Sequence, residues 1–134
     1  MSETSTLEKY IEEMSKDVDV DEFNLKDVQM ALPALKHKWV GRLMRHKHNI
    51  NELMNAKTKT KADIATDIQN NASYKVAAAV AERQAGNHQT IMKLDRKIKE
   101  ERLLVEFLEK AEKIFSSMTF DIKNITEIVK LETL

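Results

Sequence analysis

The sequence predicts an all-α protein, built as a long helical hairpin with short flanking helices. Glycine occurs twice and proline once in 134 residues, whereas turn-rich β proteins use many of both. Aromatic residues make up 5% of the chain, so we expect an aliphatic core. Apolar residues recur three and four positions apart over two long stretches, which is the spacing of one helix face. The length favours a single helical domain, residues 1–134.

Residues 1–22 predict an acidic helix followed by a linker. Apolar residues at helical spacing place the helix at about 6–16. Alternating Asp and Val over 17–21 favours an extended connector over a calcium loop, because the glycine and distal glutamate of an EF-hand are missing. Asn24 is then placed to cap a short helix. We predict that this helix ends before Pro33, which suits the first turn of a new helix.

A long basic helix is predicted over residues 33–68. Its apolar stripe consists of Leu35, Trp39, Leu43, His46, Ile50, Leu53 and Met54. Beyond Met54, Lys57 and Lys61 stand where the stripe should continue, until Ile64 resumes it. This part of the helix either leaves the core or faces a water-filled channel. The alternative is an ordinary solvent-exposed face whose lysine ammonium groups extend to water.

The second half of the chain predicts three further helices. A loop at 69–73 precedes an alanine-rich helix over 74–85. Residues 87–117 carry the clearest helical periodicity. Their stripe consists of Ile91, Leu94, Ile98, Glu101, Val105, Leu108, Glu112 and Phe115. It is wide enough to pack within the hairpin and also on another subunit, with packing within the hairpin alone as the alternative. Thr119 is placed to cap a C-terminal helix at 119–132. That helix is apolar enough to dock on a partner, although docking on its own subunit is the simpler alternative.

Positive charge is concentrated in residues 36–61, which we call the basic segment. It holds eight basic residues and one acid, Glu52, in a chain with 22 residues of each sign. A clustered basic surface is typical of proteins that bind a polyanion, so we predict phosphate contacts from all eight: Lys36, Lys38, Arg42, Arg45, Lys47, Lys57, Lys59 and Lys61. On a helix, Lys38, Arg42 and Arg45 share one face, and Lys57 and Lys61 share another line with Lys59 displaced.

The sequence contains no pattern typical of an enzyme or a metal site. Cysteine is absent, and the four histidines lack zinc-ligand spacing. Two glycines cannot build a phosphate-binding loop, so we predict a non-enzymatic protein without metal or cofactor. No apolar run approaches the roughly 20 residues of a membrane span, and the N-terminus does not resemble a signal peptide. We therefore expect no membrane contact and a cytosolic location.

The order of these features carries a family resemblance. The matching set is Asp17, Val20-Asp21, Pro33-x-Leu35, Lys38-Trp39, the long basic helix, the periodic helix and Phe120-Asp121-Ile122-Lys123-Asn124. Nearly the whole chain thus resembles the UvsY recombination mediator proteins of tailed phages. The resemblance implies a homo-oligomeric ring, with a heptamer as the expected size, that binds single-stranded DNA. It also implies that the protein helps displace the single-strand-binding protein and loads the recombinase into a presynaptic filament during phage homologous recombination and repair, in the cytoplasm of the infected bacterial host.

The resemblance also implies site residues. Lys38 matches a family lysine that precedes an aromatic residue, and Lys57–Lys61 lies where the family has a basic helical stretch. The C-terminal helix is implied to build the oligomer through Phe120, Ile122, Ile125, Ile128, Val129 and Leu131. The sequence departs from the family pattern in two places. Residues 65–68 stand where family members often have a Tyr-Tyr-x-Gly segment, so Tyr74 or Trp39 would be left to stack on bases. The aromatic ending that is usual in the family is reduced at 129–134.

A second function class is compatible with the same residues. The protein would then be a helical scaffold or adaptor oligomer whose basic stretch docks an acidic protein surface. An acidic arm from a neighbouring subunit, residues 8–22, would be one such surface.

Overall fold

The structure is a computed structural model that describes residues 3–133, with the side chains of 5–133. Four α-helices run in the order α1 (Glu3–Asp17), α2 (Leu25–Asn71), α3 (Ala78–Gly86) and α4 (Gln89–Glu132). Residues 3–133 contain no strand. The all-α class predicted from composition is therefore confirmed.

The helices build two compact units. The first unit comprises Met1–Arg45 and Leu104–Leu134, and the second comprises His46–Leu103. Both long helices, α2 and α4, contribute residues to each unit.

Trp39 is the centre of the first unit. Its side chain is 1% exposed. Its ring stacks on Phe115 with centroids 6.2 Å apart, and meets Phe107 and Tyr10 edge-on at 6.3 and 5.8 Å. Such aromatic pairs add stabilisation beyond the burial of their area. Trp39 is thus a core residue that joins α1, α2 and α4.

Polar contacts hold α1 on α2, and we call this group the α1 anchor. The Trp39 indole N–H donates to Asp17 Oδ2 at 2.8 Å, and Lys38 Nζ donates to the same oxygen at 2.5 Å. Arg42 donates through both guanidinium Nη atoms to the Glu13 carboxylate. The guanidinium also lies over the Trp39 ring at 4.7 Å. Each buried donor in this group therefore has an acceptor from α1.

The break predicted at Pro33 is wrong, because α2 is one helix from Leu25 to Asn71. Proline removes the N–H that would bond the carbonyl of Gln29 and disfavours a helix interior by about 3 kcal/mol or more. Pro33 and Gln29 are both exposed, so water can reach that carbonyl. Leu32 and Trp39, buried on either side of the proline, keep both segments packed in the first unit.

The separate C-terminal helix predicted from Thr119 is also wrong, because α4 is continuous from Gln89 to Glu132. The buried stripe runs through the predicted break at Phe115, Met118 and Ile122. Nearby hydroxyls bond back to their own helix instead of capping a new one: Ser117 Oγ donates to the Ile114 carbonyl at 2.9 Å. Serine and threonine are tolerated inside helices in this arrangement.

In the second unit, α3 packs on α2 through small side chains. Ala81 and Ala85 are fully buried and pack with Ala65, flanked by Ile64 and Ile68. This apolar face agrees with the alanine-rich helix predicted for this part of the chain.

That helix begins at Ala78, later than the predicted 74–85, and runs to Gly86. The Gln69 amide donates to the Val76 carbonyl at 3.0 Å, and Ala77 at the N-cap is extended. These contacts hold the preceding segment out of the helix.

We predict that Asp17→Ala destabilises the first unit by about 1–3 kcal/mol, because the buried Trp39 N–H is left without its acceptor. Asp19→Ala is the matched control, since Asp19 is exposed and its carboxylate makes no hydrogen bond among the described residues. Urea unfolding followed by circular dichroism and by the emission of Trp39, the only tryptophan, measures both variants. Equal stability and unchanged emission would contradict the anchor.

The α1 anchor also predicts a pH dependence. The hydrogen bond from Arg42 holds the pKa of Glu13 below its ordinary value of 4.5, and the charges of Arg42 and Lys38 add to this effect. A lowered folded-state pKa stabilises the fold above the unfolded-state value, and this stabilisation is lost as pH falls through the folded-state value. The difference in unfolding free energy between the natural chain and Glu13→Gln should therefore be constant near neutral pH and shrink below 4.5. A difference that stays constant to about pH 3 would contradict this linkage.

Candidate functional site

The eight basic residues predicted to contact phosphate divide between the two units. The first unit holds Lys36, Lys38, Arg42 and Arg45, and the second holds Lys47, Lys57, Lys59 and Lys61.

In the first unit, two of the four cations are engaged by carboxylates. Lys38 and Arg42 belong to the α1 anchor, and the hydrogen bond with Glu13 raises the pKa of Arg42. Lys36 is half-buried and Arg45 is exposed, and neither lies within 4.0 Å of a carboxylate of the described residues. The face predicted for Lys38, Arg42 and Arg45 is therefore neutralised at its first two members.

In the second unit, the three lysines from 57 to 61 have different surroundings. Lys57 Nζ lies 2.6 Å from Asp95 Oδ1, with the two side chains 36% and 40% exposed. Lys61 lies against the C-terminal end of α3, where a Cβ added at Gly86 would be 3.7 Å from Lys61 Nζ. Lys59 is exposed, with no carboxylate partner among residues 5–133.

A cleft of about 470 Å³ opens beside Lys57 and Lys61. Residues from α2, α3 and α4 line it. Its charged lining consists of four basic and two acidic residues: Lys57, Lys61, Lys99, Arg102, Glu82 and Asp95. We call it the basic cleft. Its excess of positive charge suits an anion.

Sequence reasoning missed the α4 wall of this cleft. Asp95, Lys99 and Arg102 are spaced i, i+4 and i+7, so they share one helix face. That spacing was available in the sequence. It was overlooked because five basic and three acidic residues are interspersed along residues 93–102, so this stretch does not stand out as a basic segment.

A buried hydrogen-bonded pair of polar side chains joins α2 to α4 in the second unit. His46 Nδ1 lies 2.5 Å from Glu101 Oε2, with side chains 12% and 9% exposed. Both residues occupy positions in the predicted apolar stripes. Truncating one member of a buried pair leaves the other without compensation, so this contact holds together the two helices that line the basic cleft.

The aromatic residues considered for base stacking differ in exposure. Trp39 is buried in the first unit, so its ring faces are not open to a base. Tyr74 is 72% exposed, on the segment between α2 and α3.

The six apolar residues predicted to build an oligomer divide by exposure. Phe120, Ile128 and Leu131 are 69%, 55% and 70% exposed. Ile122 is 4% exposed and belongs to the core of its own chain. The remaining two, Ile125 and Val129, are half-buried.

Neither metal chemistry nor a membrane span is indicated within residues 3–133. No three histidine or acidic residues of this range are grouped so as to hold a metal ion. Every helix described is too short or too polar to cross a membrane. The carboxylate of Asp21, from the predicted connector, accepts hydrogen bonds from the backbone N–H groups of Phe23 and Asn24 in a local turn.

Comparison with known proteins identifies the family. A family model described as "Recombination, repair and ssDNA binding protein UvsY" matches residues 13–133. A crystal structure of the bacteriophage T4 recombination mediator protein UvsY is similar with a TM-score of 0.78 at 23% identity, over 94% of this chain and 98% of that one. A second crystal form gives a TM-score of 0.76 at 20% identity, over 96% and 98%. These structures share the fold, and no curated protein matches. Because the family model covers nearly the whole chain, this protein belongs to the UvsY family.

Proposed function

We propose that the protein is a non-enzymatic recombination mediator that binds single-stranded DNA. The observation that carries the proposal is the arrangement of Lys57, Lys59 and Lys61, with Lys57 and Lys61 lining the basic cleft and Lys59 exposed between them in the sequence. Membership of a family described as recombination, repair and ssDNA binding supports it. The bound strand would be freed from the single-strand-binding protein and presented to the recombinase.

Contact with the sugar-phosphate backbone would dominate this binding. Lysine ammonium groups pair with phosphates whatever the base, so affinity should fall with salt and show little base preference. Stacking on aromatic residues normally adds to such binding. With Trp39 buried, Tyr74 is the exposed aromatic residue of the second unit that remains for this role. Lys36, Arg45 and Lys47 remain predicted contacts, because no carboxylate of the described residues pairs with them.

Several subunits acting together would give the affinity that one cleft lacks. When one strand meets several linked sites, the later contacts form at a high effective concentration. Phe120, Ile128 and Leu131 expose the apolar area that a neighbouring subunit would cover. We propose a homo-oligomer on this basis, with the heptameric ring as its expected form.

The alternative is a helical adaptor that docks an acidic protein surface on its basic stretch. It is favoured by the α1 anchor, in which Glu13 and Asp17 bind Arg42 and Lys38 within one chain. These contacts demonstrate that carboxylates fit part of the basic segment. Absence of DNA binding at low salt would favour the adaptor over the mediator.

We predict that Lys57→Ala, Lys59→Ala and Lys61→Ala combined weaken binding of labelled poly-dT roughly tenfold or more near 100 mM salt, through lost phosphate contacts. Fluorescence anisotropy measures the affinity, and gel filtration should find the oligomer unchanged. A charge-matched control replaces Lys110, Lys113 and Lys123, which are exposed on α4 in the first unit. Equal loss in both triple variants would contradict the assignment of this patch.

We also predict that Phe120→Ser, Ile128→Ser and Leu131→Ser combined lower the oligomer size in sedimentation, because the exposed apolar area that a neighbour would cover is removed. The helical circular dichroism should persist, since these side chains are 69%, 55% and 70% exposed in the single chain. An unchanged sedimentation coefficient would refute this surface as the contact between subunits.

A further inference from the structure

The basic cleft has two cationic walls that approach each other. On α2, Lys57 and Lys61 are one turn apart, and on α4, Lys99 and Arg102 are three residues apart. Both pairs therefore project from a single face of their helix. Arg102 Nη2 reaches to 4.0 Å from Met54 Sδ, which places the α4 cation beside the α2 wall. An anion in the cleft would meet positive charge from two directions.

One carboxylate already occupies part of this cationic surface. Asp95 holds Lys57 through the 2.6 Å contact, although both side chains remain more than a third exposed. Ion pairs of this exposure contribute little net stability. A phosphate can therefore replace the Asp95 carboxylate at Lys57 at a small cost in free energy, because both groups accept charge-assisted hydrogen bonds through anionic oxygens.

We infer that the basic cleft is a phosphodiester-binding site in which α4 supplies Lys99 and Arg102, and in which Asp95 competes with the bound phosphate for Lys57. This inference rests on the proposed function and adds to it a second wall and an internal competitor. The competitor weakens the hold on DNA and thereby speeds release of the strand. Such release suits a protein that must pass its strand to another.

The first test replaces the competitor. Asp95→Asn should tighten poly-dT binding roughly three- to tenfold near 50 mM salt and steepen the log–log salt dependence by up to about 0.7, the slope of one phosphate contact on a single strand. The control is Asp67→Asn, which removes the same charge from an exposed position of the second unit outside the cleft lining. A gain in affinity cannot come from misfolding, so this variant stays informative even if other variants are unstable.

The second test removes the α4 wall. Lys99→Ala with Arg102→Ala should weaken poly-dT binding roughly tenfold and reduce the salt slope by about 1.4, since two contacts are lost. Lys93→Ala with Lys97→Ala is the matched control, because both lysines are exposed on α4 and absent from the cleft lining. Circular dichroism of each full-length variant confirms that the helices are retained.

The outcomes separate this inference from the function on which it rests. Tighter binding by Asp95→Asn, together with a larger loss for the cleft pair than for the control pair, supports the inference. If the natural chain binds poly-dT but cleft and control variants behave alike, the charges attract DNA only through the long-range electrostatic field of the whole protein. The inference alone is then overturned. If the natural chain does not bind poly-dT at low salt, the proposed function itself fails and the inference falls with it.

Discussion

The structure depends on one constraint, which is that a single helix must bury an apolar stripe while carrying much of the chain's positive charge. In the first unit α2 meets this constraint by burying Trp39. The neighbouring cations of α2 pair with carboxylates of α1, Lys38 with Asp17 and Arg42 with Glu13. In the second unit Lys57 and Lys61 interrupt the stripe, and a cleft with a charged lining opens where apolar packing would otherwise continue. Cations that pair with buried or half-buried carboxylates of the chain therefore stabilise the fold. Cations that are unpaired, or paired only in an exposed contact, remain available to a ligand.

Local pattern was enough to predict much of this fold. The stripe on α2 correctly included Trp39 and Leu43 as core residues, and the α4 stripe included Ile91, Ile98 and Leu108, all of which are buried. These positions follow from the 3.6-residue period alone. Two of the helix boundaries that the sequence misplaced, at Pro33 and at Thr119, share one cause. Pro33 is a local helix breaker and Thr119 suits the N-cap of a new helix, but buried neighbours on both sides of each residue keep the helix packed and continuous.

Pairing between distant residues was beyond local pattern. His46 and Glu101 were placed on their stripes, yet their partnership joins residues 55 positions apart. The same holds for Asp95 with Lys57, and for Asp17 with Trp39. Periodicity places a residue on a helix face, but it does not say which residue of another helix lies opposite. The candidate site was therefore predicted on α2 and missed on α4. The basic face predicted in the first unit is weakened for the same reason, since the sequence predicted an acidic arm at 8–22 without pairing its Glu13 and Asp17 with Arg42 and Lys38.

The central claim is that open cations of the described chain bind the backbone of single-stranded DNA and that several subunits share one strand. The most direct measurement is the anisotropy of a labelled poly-dT strand titrated with the natural protein over a series of salt concentrations. We expect log affinity to fall linearly with log salt, with a slope of about −0.7 per phosphate contact. A slope that requires more contacts than the cations of one chain can make would support shared binding by an oligomer. Absence of binding at low salt, or binding that does not change with salt, would contradict the account.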